Sequence, residues 1–329
     1  MKTTVVIPNY NGIKYVENCI EKLKDAKAQG DFHILVVDNG STDGSLEKLR
    51  EYEEADVLQL VALPENAGFC GAVNEGIRNT ETAYVLLLNN DTEVTKDFVK
   101  ELENFMDCHP KAFSASSKML SLQEPDVIDD CGDLYCALGW AFGLGKGKSI
   151  QSGSAQKYEK VGQIFAACGG ASIYRKEVFD KIGIFDDNHF AYLEDIDVGY
   201  RALIHGYRNY YCPDAVVYHA GSGFSGSRYN KFKIDLSAKN SIYLIYKNMP
   251  FLQVLLNLPF LLVGFGIKTL FFVLKGFGGT YCKGLWKGIR MSFSAAGRTH
   301  KVRFQVKHAV NYLVIQWYLW WNMIRRFIG

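Results

Sequence analysis

Three carboxylates fall within four residues at Glu194, Asp195 and Asp197, and Ile196, Tyr200, Leu203 and Ile204 follow them at helical spacing. Acids at a helix start gain about 0.3–1 kcal/mol each from the helix dipole. Capping alone does not require three, because they repel one another. One of them is placed to act as a general base toward an alcohol, and the same dipole would keep it ionised. A further carboxylate, Asp91, ends the run Asn89-Asn90-Asp91 behind the apolar residues 83–88. A strand of that kind delivers its last residues to the edge of a sheet. There a diphosphate is held through Mg²⁺ or Mn²⁺, hard ions that want oxygen ligands. An ordinary turn is the plainer use of the same three residues. His219 closes the strand-like residues 216–219 ahead of a Gly/Ser loop. Neutral imidazole at such a place can bind a metal, and a purely structural role stays open. Asp38, at the end of another strand, can accept from a base imide or a ribose hydroxyl. Asp43 reads as a cap for the next helix.

These groups need a scaffold that gathers strand ends. Residues 3–7, 33–37, 57–63 and 83–88 are short apolar runs. Between them, Val16, Ile20 and Leu23, then Leu46 and Leu49, then Val73 and Ile77 recur at helical spacing, and Phe98, Leu102, Phe105 and Met106 mark a helix that stops at Pro110. Alternating strands and helices with nearly all-apolar strands predict an α/β fold, its mainly parallel sheet covered on both faces. Ligands then bind beyond the carboxyl ends of the strands. Residues 111–170 are rich in Gly and Ser and weakly periodic, and residues 144–154 read as a mobile loop.

Composition supports an ordinary globular chain of 329 residues, 48% hydrophobic and 22% charged. The net charge of +2 conceals an asymmetry. Asp235 is the last acid, and the residues after it hold 13 Lys and Arg. An acidic body with a wholly basic tail suggests an anionic surface as partner. The eight cysteines form no Cys-x-x-Cys pair and read as free thiols in a reducing compartment. The N-terminus runs directly into a strand, so the catalytic part is expected in the cytoplasm.

A dinucleotide-binding unit would need Gly-x-Gly-x-x-Gly after the first strand, and Pro8-Asn9-Tyr10-Asn11-Gly12 stands there instead. The segments at 5–12 (VVIPNYNG), 36–45 (VVDNGSTDGS), 65–77 (ENAGFCGAVNEGI), 86–94 (LLLNNDTEV), 167–179 (ACGGASIYRKEVF), 192–202 (YLEDIDVGYRA) and 216–225 (VVYHAGSGFS) occur in the order of the family 2 glycosyltransferases, which the chain resembles over residues 3–245. The pattern is most similar to the branch that includes rhamnosyltransferases of surface-polysaccharide assembly. The resemblance implies a GT-A fold and transfer of a sugar from a nucleotide-diphosphate donor to a glycan or lipid-linked acceptor. It implies that Pro8, Tyr10 and Asp38 contact the nucleoside and that Asn66 and Gly68 lie near the nucleotide. Asn89, Asn90 and Asp91 occupy the family's Asp-x-Asp site, with Asp91 as metal ligand. Asp195 would be the base of a single inverting displacement, and His219 a further metal or diphosphate ligand. Asn89 departs from the pattern, since an amide is a poorer metal ligand than a carboxylate. The Gln-x-x-Arg-Trp motif of processive synthases is missing, which implies one or a few sugars added per acceptor.

The tail is expected to divide from the catalytic domain at 245/246 and to run as helices to residue 329. Residues 250–267 carry no charge, and Trp286, Trp317, Tyr318, Trp320 and Trp321 alternate with basic residues beyond them. Aromatic rings favour the headgroup level and basic side chains anionic lipid. The tail is therefore expected to hold the enzyme on the cytoplasmic face of the cell membrane, with no nucleic acid as partner. Two rivals are a sugar-nucleotidyltransferase and a non-catalytic, membrane-bound sugar-nucleotide-binding protein. The first would show an Arg-containing Gly-rich loop after strand one, and the second would need no base.

Overall fold

The computed structural model describes residues 1–221 and 229–328. Residues 222–225 of the last motif lie outside the described residues. The first half alternates as expected: β1 (Thr3–Asn9), α1 (Ile13–Ala26), β2 (His33–Asp38), α2 (Ser45–Glu54), β3 (Gln59–Ala62), α3 (Gly68–Arg78), β4 (Tyr84–Leu88), β5 (Thr92–Val94) and α4 (Phe98–Cys108). The middle holds β6 (Ala112–Ser121), β7 (Ile128–Asp130), β8 (Asp133–Cys136), β9 (Trp140–Gly143), β10 (Gly162–Ile164), β11 (Ala171–Arg175), α5 (Lys176–Ile182), α6 (Glu194–Ile204) and β12 (Arg208–His219). The tail is helical: α7 (Lys231–Asn248), α8 (Phe251–Leu274), α9 (Gly278–Phe293), α10 (Ala295–Thr299) and α11 (Ala309–Ile328).

Strands β4, β1, β2 and β3 pair in parallel. Val5, Val6 and Ile7 of β1 and Val85 to Leu88 of β4 have no exposed surface, because helices cover both faces. Helix α1 explains one layer: Val16, Cys19, Ile20 and Leu23 make its buried stripe. The register sets Asn9 opposite Asp38 and Asp38 opposite Ala62, so the carboxyl ends of these strands stand level.

Past residue 111 the sheet becomes mixed. Strand β11 runs antiparallel between β4 and β6, and β12 runs parallel to β6, giving the order β10-β12-β6-β11-β4-β1-β2-β3. The weak periodicity of residues 111–170 has a physical cause. Strand β6 buries Ser114, Ser116 and Ser117 beside its apolar residues. Ser114 donates to Asn209 and Ser117 to the Ala171 carbonyl, so their hydroxyls are satisfied within the sheet. Residues 144–154, expected as a mobile loop, hydrogen-bond to the residues just before β7 and to β7 itself. The amides of Gly147 and Ile150 donate to the carbonyls of Ile128 and Asp126.

The expected boundary at 245/246 falls inside α7, which runs unbroken from Lys231 to Asn248. Leu244, Ile245, Leu261, Tyr312, Ile315 and Leu319 belong to the same core as the catalytic sheet. The tail is therefore a further layer on one core. Among the described residues, α8 is the one helix long and apolar enough to cross a membrane.

Candidate active site

A cleft of about 950 Å³ opens at the carboxyl edge of the parallel strands. Pro8, Tyr10, Asn66, Gly68, Asn89, Asn90, Asp91, Asp195 and His219 all line it. Asp38 does not: it is fully buried, accepting from Asn9 Nδ2 at 2.8 Å and from the Ser41 amide at 3.0 Å. Its neighbour Asn39 reaches the cleft and donates to Asn66 Oδ1 at 3.1 Å. Asp43 has the structural role expected of it, though not as the cap residue itself. It accepts from the amides of Ile13 at 2.9 Å and Ser45 at 3.0 Å, tying together the starts of α1 and α2.

The loop ahead of α3 is built for close approach. Gly68 adopts a φ of +77°, and a Cβ there would meet the Phe190 ring at 2.5 Å. Opposite it, Phe190, Tyr192 and Leu193 hold left-handed backbone at φ 65°, 70° and 66°. Such strain persists only where the surroundings over-determine it. The buried Asn240 of α7 does so, with its Nδ2 within 2.7–2.9 Å of the carbonyls of His189, Ala191 and Tyr192. This run leads directly into the acids of α6.

The structure assigns those acids different tasks. Asp197 faces inward and is fully buried. Its carboxylate accepts from Arg201 at 2.9 and 3.0 Å, Lys247 at 2.8 Å and Asn248 at 2.8 Å. Burial opposes its ionisation, but the Arg201 and Lys247 charges hold its pKa well below the usual carboxylate range. Glu194 and Asp195 face the cleft. Burial pushes Glu194 up to about 8. Asp195 accepts from the Ile196 amide at 2.7 Å and shares a hydrogen bond with the carboxyl of Asp133. Its pKa is raised, again by burial. Burial thus outweighs the helix N-terminus in setting the direction of the Asp195 shift. Its environment moves it toward the values a base working near neutrality needs.

His219, at the end of β12, lies between two carboxylates. Its Nε2 is 3.2 Å from Asp91 Oδ1 and its Nδ1 is 2.7 Å from Asp129 Oδ2. Lys146 holds the other oxygen of Asp129 at 2.5 Å. Burial works against the imidazolium, yet Asp129 and Asp91 raise it to about 9. Asp129 is held near 2 by His219 and Lys146 in spite of its own burial. The donor set fits a divalent cation. Neighbouring ligands of an octahedral ion at ~2.1 Å stand about 3 Å apart, close to the observed spacing. A carboxylate behind the far nitrogen of a ligating imidazole orients the ring and fixes its tautomer. A second group, Asp130, Asp133 and Cys168, brings its ligand atoms within 4.8 Å of one another. Burial drives Asp130 up to about 7 and Asp133 and Cys168 well above their usual values.

Sequence reasoning missed Asn39, Asp129, Asp130, Asp133, Lys146, Phe190 and Phe232. The signal was present for three of them: Asp129-Asp130-x-x-Asp133 is a run of acids in a stretch otherwise read as loop.

Comparison with known proteins agrees with this geometry. The family model described as glycosyl transferase family 2 matches residues 4–183. The chain is 30% identical over 127 residues to a putative teichuronic acid biosynthesis glycosyltransferase, TuaG, of Bacillus subtilis, covering 38% of this chain and 50% of that protein. It is 31% identical over 111 residues to the poly(ribitol-phosphate) β-N-acetylglucosaminyltransferase TarS of Staphylococcus aureus, covering 33% of this chain and 19% of that one. The chain thus spans half the length or less of these relatives. Among solved structures, residues 1–349 of S. aureus TarS with UDP-GlcNAc match with a TM-score of 0.53 at 18% identity, over 95% of this chain and 79% of that one. A mannosyltransferase of Pyrobaculum calidifontis with GDP-Man and Mn²⁺ matches with a TM-score of 0.52 at 16% identity, over 97% and 84% of the two chains. The ordered motifs, the GT-A type α/β fold and the family match over more than half the chain lead to one conclusion: the protein belongs to glycosyl transferase family 2.

Proposed function

We propose that the protein transfers a sugar, of hexosyl or rhamnosyl type, from a nucleotide-diphosphate donor to an acceptor hydroxyl with inversion, in the assembly of a cell-surface polysaccharide or lipid-linked glycan. The observation that carries this reading is the shared cleft, lined by Asp195, by the Asp91–His219 pair and by the strand-end residues Pro8, Tyr10 and Asn39. The relatives named for teichuronic acid and poly(ribitol-phosphate) glycosylation support the choice of product class.

Pro8 and Tyr10 would flank the nucleoside, and Asp38 would act through the Asn9–Ser41 turn it holds. Asn66 and Gly68 border the nucleotide, with Asn89 and Asn90 beside Asp91. Asp91 and His219 would hold Mg²⁺ or Mn²⁺, which supplies Lewis-acid neutralisation of diphosphate charge. Asp195 takes the proton of the acceptor hydroxyl. The acceptor oxygen bonds to the anomeric carbon as the bond from that carbon to the diphosphate oxygen breaks, and the electron pair leaves with the diphosphate. The neutral form of Asp133 donates to Asp195 and fixes its orientation.

The tail would seat the enzyme on the cytoplasmic leaflet, where a lipid-linked acceptor is within reach. Two observations support this. The residues after Asp235 hold 13 Lys and Arg and no acid, Lys247 and Lys287 being the ones among them that pair with earlier carboxylates among the described residues, and the aromatic rim of the cleft leads toward α8: Phe232 lies edge-on to Phe190, and Tyr229 packs on Phe271 and Phe272. The test is a panel of UDP-, GDP- and dTDP-sugars assayed for donor hydrolysis with Mg²⁺ or Mn²⁺, beside a thermal-shift screen of the nucleoside diphosphates. Metal-dependent release of one nucleoside diphosphate is expected, with matching stabilisation by that nucleotide. Stabilisation without turnover would favour the non-catalytic binding protein. Pyrophosphate release from a nucleoside triphosphate and a sugar phosphate would favour the nucleotidyltransferase.

A further inference from the structure

Helix α8 is amphipathic in the sense opposite to that of a water-exposed helix. The stripe it turns toward the protein is Gln253, Asn257, Leu261, Gly264 and Lys268, with three polar side chains among five residues. Its outward faces carry Phe251, Leu252, Leu255, Leu256, Leu258, Leu262, Val263, Ile267, Leu270, Phe271, Val273 and Leu274, all exposed. Water would select the reverse arrangement, since an apolar patch this large on a free monomer is costly. Helices α9 and α11, which both contact α8, also expose Trp286, Phe293, Leu313, Trp317 and Trp321.

The inward stripe is fastened to the body along the whole helix. Gln253 accepts from Tyr200 of α6 at 2.6 Å, near the N-terminal end. Asn257 and Gln316 of α11 exchange two hydrogen bonds, at 2.8 and 2.9 Å. At Gly264 the helix backbone accepts from Trp140 Nε1 at 3.1 Å, and a Cβ there would lie 2.1 Å from the Leu138 carbonyl oxygen. Lys268 lies over the Trp140 ring at 5.8 Å, and Phe272 contacts Tyr281 near the C-terminal end. A helix of 24 residues is about 36 Å long, enough to span a bilayer. To do so, α8 would have to carry its bound partners, including part of the catalytic core, through the hydrocarbon. The buried polar stripe belongs to the protein, and the lipid-facing surface covers the remaining sides.

We infer that α8 lies in the plane of one leaflet as a monotopic element, with its outward apolar faces embedded among the acyl chains and the basic residues of the tail at the headgroups. The occupant of the surface is an anionic lipid leaflet, chosen by charge: no Asp or Glu follows Asp235, and of the 13 Lys and Arg after it Lys247 and Lys287 are the ones paired with earlier carboxylates among the described residues. The inference rests on the membrane association proposed above and adds its topology.

The test uses the full chain added from outside to sealed phosphatidylcholine vesicles with and without phosphatidylglycerol. Binding is expected at low salt on the anionic vesicles. Leu256→Glu combined with Leu262→Glu changes two exposed side chains and should lower the bound fraction at least ~10-fold while donor hydrolysis continues. A Lys275→Cys variant reports topology, since Lys275 is exposed just beyond α8. In the in-plane arrangement a membrane-impermeant maleimide labels position 275 on intact vesicles as readily as exposed Cys108, each site mapped by mass spectrometry. Labelling of position 275 only after detergent would show that α8 spans, and would overturn the inference. Wild type that stays in the supernatant as a dimer by light scattering would overturn it also, with a second copy as occupant. Absence of donor hydrolysis in the wild type would defeat the enzymatic reading and leave the vesicle result intact.

Discussion

Asp195 and Asp197 are two residues apart on one helix, and their substitution to Asn should have opposite consequences. Asp197 compensates Arg201 and Lys247 in a buried network that also contains Asp186, 2.7 Å from Lys247. Two positive and two negative charges balance there. Asp197→Asn leaves one positive charge uncompensated and turns an amide group toward donors. Breaking one partner out of a buried ion pair costs about 3–5 kcal/mol, a large share of a total stability of about 5–15 kcal/mol. At roughly 2–4 °C per kcal/mol the melting temperature should fall on the order of 10 °C. The pH dependence has a defined sign. The folded carboxyl is depressed below its unfolded value near 3.9. Its contribution is fully present above that value and is lost as pH falls below it. The difference between wild type and Asp197→Asn should therefore be constant from about pH 5 to 8 and should shrink in acid. Asp195 is raised by burial, so its charge opposes folding at neutral pH. Asp195→Asn should keep or raise the melting temperature and lower turnover by ~10²–10⁴-fold. Scanning calorimetry across pH, run beside donor hydrolysis and transfer assays, separates the two. An Asp197→Asn protein with unchanged melting temperature, or an Asp195→Asn protein with near-normal turnover, would refute this division of roles.

Chelation with EDTA should abolish transfer, and Asp91→Ala should remove metal-dependent donor binding by calorimetry; full activity in chelator would exclude the assigned metal role. The acid limb of kcat/KM should lie above 3.8, the ordinary aspartate value, because burial raises Asp195; a limb at or below 3.8 would point to a different base. Gly68→Ala places a methyl at 2.5 Å from Phe190 on a positive-φ residue, so weaker nucleotide binding and a lower melting temperature are expected together. Asn240→Ala releases the carbonyls of His189, Ala191 and Tyr192 and should lower turnover while nucleotide binding survives, as read by thermal shift with nucleoside diphosphate.

Much of the scaffold was legible because parallel strands buried on both faces must be nearly all apolar, and residues 3–7, 33–37 and 83–88 are. Asp91 was legible as a ligand residue past the end of one such run, since a parallel sheet presents its ligand residues at one edge, whereas Pro8 and Tyr10 came from the family resemblance and His219 from the end of a separate strand-like run. The mixed half was hidden, because β6 satisfies buried serines through partners such as Asn209, 95 positions away. Local sequence carries no trace of such a partner. For the same reason the three acids of α6 were alike in sequence. Only packing gives Asp197 to Arg201 and Lys247 and leaves Asp195 lining the cleft, hydrogen-bonded to Asp133, and only burial sets the upward direction of its pKa against the helix dipole. The sequence by itself determined that the tail is basic, aromatic and apolar. Which side of α8 faces the protein was decided by the tertiary structure, because the polar groups Gln253 and Asn257 find their hydrogen-bond partners in Tyr200 and Gln316, on helices distant in the chain.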